Sequence, residues 1–141
     1  MQINKVKYLK ELEKLNLPEG EYALWGSAPL VIAGLKESKD LDVLVSSKLW
    51  KQLAKEYPVK TFEAGNQLGE YITIGNIDFV NHIIGFSIEE CENMIKEASL
   101  IDRYRIVSLE NIIKWKRILG REKDVLDIAI IEEYLKQESK Q

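Results

Sequence analysis

Between residues 21 and 46 the chain reads EYALWGSAPLVIAGLKESKDLDVLVS, and its hydrophobic pattern changes period twice within that span. EYALW (21–25) is a short apolar strand. Gly26 and Ser27 make a tight turn, with Ser27 the candidate N-cap. Pro29 then falls in the first helical turn, where its missing N–H does little harm. The helix runs to about Ala33 and Gly34 closes it. DLDVLVS (40–46) is strand again. A strand, a helix and a returning strand packed into so few residues demand a sheet with helices laid against it.

The remaining segments extend that architecture. Ile3, Val6, Leu9 and Leu12 give residues 2–16 the spacing of one amphipathic helix. SKLWKQLAKEY (47–57) is a helix ahead of Pro58. VKTFEA and EYITIGNIDFVNHI are strands, with Gly75-Asn76 as a hairpin turn. Residues 88–98 read as helix, and SLIDRYRIVS carries no clear period. SLENIIKWKRILG (108–120) is a helix from Ser108 to Gly120, and a second helix follows, with Val125, Ile128, Ala129, Ile131 and Leu135 inward. The expected fold class is α+β: a mixed β-sheet flanked by helices, in one domain over 1–141. Its core sheet lies over about 21–107 and a C-terminal helix pair over about 108–138.

A chain of 141 residues, 45% apolar and 30% charged, has an ordinary globular composition. The single cysteine, Cys91, forms no internal disulfide, and a cytoplasmic location is expected. No apolar run approaches the ~20 residues of a membrane span, and the net charge of −3 is too small to imply a partner. Charge is unevenly spread: residues 103–123 hold seven Lys and Arg against Glu110 and Glu122. A basic zone of this kind serves a phosphorylated ligand or is simply a solvated helix face.

Two acids open the strand at 40–46. Side chains alternate across a strand, so Asp40 and Asp42 project to one face while Leu41, Val43 and Val45 fill the other. Carboxylates side by side repel and raise each other's pKa unless a cation lies between them. A divalent ion is the natural compensation. Mg²⁺ takes one or two carboxylates, keeps some water and completes its shell with substrate phosphates. Asp78, in GNIDFVN, can face the same pair if its strand adjoins 40–46. Three such acids can hold two ions for in-line phosphoryl transfer, with Asp78 the candidate general base. Gly26 and Ser27 offer backbone N–H groups and a hydroxyl to an anion beside that centre. The bland alternatives are a solvated strand edge for the aspartates and surface ion pairs for Lys116 and Lys123. His82 reads as a satisfied strand residue, and Cys91 as core.

The stretch LWGSAPLVIAGLKESKDLDVLV resembles the signature of the DNA polymerase β-like nucleotidyltransferase superfamily: an apolar strand, Gly-Ser, a helix, then Asp-x-Asp on a strand. Within it the similarity is to small stand-alone prokaryotic members, minimal nucleotidyltransferases and relatives of AbiEii-type toxins. The tail SLENIIKWKRILGREKDVLDIAIIEEYL is similar to the helix pair that follows the sheet in such proteins. The resemblance implies transfer of a nucleoside monophosphate from an NTP to a hydroxyl acceptor, with release of pyrophosphate. It implies one or two Mg²⁺ ions, with Mn²⁺ as a substitute, held by Asp40, Asp42 and Asp78. It implies triphosphate contacts from Gly26 and Ser27, with Lys116 or Lys123 reaching phosphates and Asp124 orienting Lys123 or Arg121. The acceptor can be a protein hydroxyl, a tRNA end or a small molecule. Glu37, ahead of the first aspartate, departs from the family pattern. The competing expectation is a non-catalytic nucleotide-binding or protein-interaction module of the toxin–antitoxin type on the same fold.

Overall fold

A computed structural model describes residues 2–64 and 66–140. Its strands are β1 (Tyr22–Trp25), β2 (Leu41–Val45), β3 (Lys60–Ala64), β4 (Gln67–Ile74), β5 (Ile77–Val80), β6 (Ser99–Ile101) and β7 (Tyr104–Ile106). Its α-helices are α1 (Leu9–Lys14), α2 (Ala28–Ile32), α3 (Ser47–Glu56), α4 (Ile88–Lys96), α5 (Leu109–Leu119) and α6 (Glu122–Ser139), preceded by a 3₁₀ turn at Ile3–Lys5. The seven strands form one mixed sheet in the order β3-β4-β5-β2-β1-β7-β6. β2 runs antiparallel to β1 and parallel to β5, and β1 runs parallel to β7. This is the α+β class that the alternation of strand and helix patterns demands.

Helices cover both faces of the central strands, so β2 is buried on both sides. Leu41, Val43 and Val45 pack with Leu12 of α1 and with Leu49 and Leu53 of α3. On the other face Leu44 joins Ala23 and Trp25 of β1, and α4, α5 and α6 supply Met94, Ile112 and Ile131 to that core. Serines set the start of three helices: the hydroxyls of Ser46, Ser87 and Ser108 accept the N–H groups of Leu49, Glu90 and Asn111, each worth about 1 kcal/mol. Among the described residues no helix is long and apolar enough to cross a membrane.

Three expectations are corrected and one open segment is assigned. Residues 2–16 are not one helix, because Tyr8 turns left-handed (φ 71°) between the 3₁₀ turn and α1. The segment is held sideways instead: the Gln2 N–H donates to the Ile32 carbonyl (3.1 Å) and the Lys7 N–H to Ser38 Oγ (2.9 Å). SLIDRYRIVS is a hairpin, β6 paired antiparallel with β7, with Asp102 left-handed in its turn. β5 ends at Val80, so His82 lies beyond the strand, its ring bonded to the Phe86 carbonyl. In α6, Val125 and Ala129 face outward, and the inward side carries Asp124, Ile128, Ile131 and Leu135.

Candidate active site

The two strands that carry the acids are neighbours. β2 and β5 pair in parallel with Asp42 directly opposite Asp78, and on its other side Asp42 is opposite Trp25 of β1. Directly opposed residues share a face, so both carboxylates lie on the side of Ala23, Trp25 and Leu44. Asp42 is half-buried. Burial, then the charge of Asp78, then that of Asp40 push its carboxyl up to about 6. Among the described residues neither a hydrogen bond nor a cation offsets that rise.

Asp78 is fixed from the far side. Thr73 of β4 lies opposite it, and Thr73 Oγ1 donates to Asp78 Oδ1 at 2.6 Å. Asp40 is the outlier. It precedes the first residue of β2 and is exposed, so the same parity that aligns it with Asp42 gives it no strand neighbour to pack against. Among the described residues no three His, Cys, Asp or Glu side chains gather into a ready-made metal cluster. The donor set is an opposed pair of carboxylates with a third at the rim. All-oxygen donors and an uncompensated charge on Asp42 fit a hard divalent cation.

Gly26 sits against this pair for two reasons. Its φ of +70° is one that L side chains avoid, and a Cβ built there would stand 2.6 Å from Asp42 Oδ2. The bare backbone after β1 is therefore what lets the Asp42 carboxylate lie at the strand end. Ser27 is the N-cap residue of α2, as the sequence suggests, and its carbonyl accepts the Leu30 and Val31 N–H groups, but its side chain makes no capping hydrogen bond.

A cleft of about 290 Å³ opens beside these residues. Gly26, Ser27, Asp40 and Asp42 line one wall, Lys36, Glu37 and Lys39 come from the loop before β2, and Trp115, Lys116, Arg121 and Lys123 close it from α5 and α6. The C-terminal helices thus bring Lys116 and Lys123 to the acids, while Asp78 lies on the next strand, outside the cleft lining. A larger depression of about 650 Å³ adjoins it through Lys36 and Glu37, but its wall carries none of the three aspartates.

Three cations of the cleft are already engaged. Lys116 is 5% exposed, and its Nζ donates to Asp127 Oδ2 at 2.9 Å and lies 3.6 Å from Asp124 Oδ1. Lys36 Nζ reaches the same Asp127 oxygen at 3.5 Å. Asp124, fully buried, accepts from Arg121 Nε at 2.6 Å and from the Arg121 backbone N–H at 3.1 Å. Asp124 therefore orients Arg121, and not Lys123. Lys36, Lys39, Thr73 and Trp115 belong to the site without a strong signal of their own in the sequence. Trp115 is held by the Trp25 ring, 4.3 Å between centroids.

Compared with models of known families, with curated proteins and with solved structures, the chain matches none. Fold and site therefore speak for themselves: a mixed seven-stranded sheet that presents an opposed carboxylate pair beside a glycine bend and a lysine-lined cleft.

Proposed function

We propose that this chain is a metal-dependent nucleotidyltransferase of the polymerase β-like type, moving a nucleoside monophosphate from an NTP to a hydroxyl acceptor. The observation that carries the reading is the register of Asp42 against Asp78, with the Gly26 backbone pressed on Asp42 and the cleft alongside. The triphosphate lies in the cleft, where Lys39, Lys123 and Arg121 oppose its charge and the Gly26–Ser27 bend lets it approach the backbone. Asp42 and Asp78, with Asp40 at the rim, would hold Mg²⁺ or Mn²⁺, which when bound neutralises the carboxylates and the phosphates together. Thr73 occupies Asp78 Oδ1, so Oδ2 is the oxygen offered to the acceptor. The acceptor oxygen forms a bond to the α-phosphorus as its proton passes to Asp78. The bond from that phosphorus to the bridging oxygen breaks, and its electron pair leaves on pyrophosphate.

The competing reading is a non-catalytic nucleotide-binding or protein-interaction module. It draws on the exposed Asp40, on Glu37 in the cleft wall, and on the engagement of Lys116 and Lys36 by Asp127. Calorimetric titration of the parent and of Asp42→Asn with each NTP, with and without Mg²⁺, tests the first reading. Binding that needs Mg²⁺ and falls at least tenfold in Asp42→Asn is expected. Equal binding by both proteins counts against it, and Mg²⁺-independent binding favours the module.

A further inference from the structure

The face of the sheet that holds Asp42 and Asp78 does not end at β5. Thr73 stands opposite Asp78, and alternation along β4 puts Tyr71, Gly69 and Gln67 on the same side as Thr73. Across the β3–β4 ribbon Lys60 pairs with Tyr71, Phe62 with Gly69 and Ala64 with Gln67, which brings Lys60, Phe62 and Ala64 onto that side too. The opposite side receives Thr61, Glu63, Leu68 and Glu70. Both acids of the ribbon are thus segregated away from the carboxylate face, where Lys60 is the one charged side chain of β3 and β4.

Of the two aromatic residues on that face, Phe62 is exposed and Tyr71 half-buried. The Phe62 ring lies across Gly69, whose added Cβ would stand 2.1 Å from it, so any larger residue at 69 would displace the ring. Phe62 stays 39% exposed. Its centroid is 6.0 Å from that of Tyr71, and Lys60 Nζ is 6.0 Å from the Tyr71 centroid. The helices that cover the face over β1 and β2 leave this end of it uncovered. Flat rings beside a cation form a surface that stacks bases and meets a backbone phosphate.

We infer that the β3–β4 ribbon is the docking platform for the acceptor, and that the acceptor is the end of a single-stranded nucleic acid. Bases stack on Phe62 and Tyr71, a phosphate meets Lys60, and the terminal hydroxyl reaches Asp78. This rests on the nucleotidyltransferase reading of the site. It assigns the two substrates to opposite sides of the carboxylate pair: the triphosphate cleft lies toward β1, α5 and α6, and the ribbon lies toward β4 and β3. Attacking and leaving oxygens then face each other across the α-phosphorus. The same face could otherwise stack the base of the donor NTP, and the experiment separates the two.

Fluorescence anisotropy with a labelled short single-stranded RNA, the same sequence as DNA, and the duplex tests it. The parent is expected to prefer the single strands. Phe62→Leu and Tyr71→Leu, which keep an apolar side chain but no ring, should each weaken single-strand binding about tenfold. Lys60→Gln should lower the slope of log affinity against log salt by about 0.7. Glu70→Gln, on the other side of the ribbon, should cause no weakening. Ring variants that bind like the parent, or no single-strand binding at all, overturn the inference. If a thermal melt shows the ring variants unfolded, Lys60→Gln decides, and an unchanged salt slope overturns it. Calorimetry with Mg²⁺ and NTP on the same proteins keeps the two claims apart. NTP binding without strand binding removes the platform alone. Loss of NTP binding in the ring variants, with strand binding intact, assigns the rings to the donor base and overturns the inference. Strand binding without NTP binding removes the nucleotidyltransferase reading and, with it, the acceptor role.

Discussion

Asp42→Asn is expected to melt about 5 °C above the parent at pH 8. Removing a charge that packs in a core face normally destabilises, so the sign is informative. The Asp42 carboxyl is raised from 3.8 to about 6 by burial and by Asp78 and Asp40. A carboxyl raised on folding makes the folded state bind its proton more tightly, so its penalty is absent below the unfolded pKa. It grows as pH rises from about 4 to about 6 and is constant above that. Discounted for partial exposure, it amounts to about 2 kcal/mol, which a chain of this size converts to roughly 5 °C. The amide keeps the shape and removes the penalty. Melts of both proteins from pH 4 to pH 8 check this: the gap should be absent at pH 4 and full by pH 7. An Asn variant less stable than the parent at pH 8 would mean that the carboxylate is satisfied within the fold, and that no charge waits there for a ligand.

The largest loss of stability is expected at Asp124. Asp124→Ala removes the acceptor for the Arg121 side chain and for the Arg121 N–H at the start of α6, and it leaves Lys116 buried with Asp127 as its remaining partner. Taking one member from a buried charged network costs about 3 kcal/mol. The Arg121 hydrogen bonds, and then the charges of Arg121 and Lys116, hold the Asp124 carboxyl below its usual range against the effect of burial. A depressed carboxylate contributes its stability above the unfolded pKa and loses it as pH falls through the folded one. Urea unfolding at pH 7 should therefore show the full difference between parent and variant, and at pH 3 a smaller one. A gap below about 1 kcal/mol at pH 7, or one that widens in acid, contradicts this. Because the same network aims Lys116 and Arg121 at the cleft, the variant should also bind NTP more weakly than the parent.

The parts of the fold that were legible are those where one local signal sufficed. Short apolar runs marked β1 and β2, Gly75-Asn76 marked the β4–β5 hairpin, and Ser108 with Gly120 bounded α5 within a residue. The strands β6 and β7 were not legible, since three residues each are too few to set a period. The inward side of α6 was misread because apolar residues surround that helix. Val125 and Leu126 are 60% and 62% exposed, and a buried acid, Asp124, helps fix which side faces in. The pairing of Asp42 with Asp78 depends on a parallel register between strands far apart in sequence, which no local pattern encodes. Parity alone could not separate Asp40 from Asp42. What separates them is that β2 begins at Leu41, so Asp42 is the first acid with strands on both sides. The lysines of the loop before β2 became visible only with the cleft that they share with that acid, and the Phe62–Tyr71 pair only when the sheet order put β4 next to the strand of Asp78.

The central claim is that Asp42 and Asp78 share a cation beside a triphosphate. The most direct measurement is anomalous diffraction from crystals grown with Mn²⁺ and a non-hydrolysable NTP. A manganese peak between the two carboxylates, with the triphosphate running past Gly26 toward Lys123, is the predicted result. Well-ordered nucleotide with no manganese within bonding distance of either aspartate would contradict it.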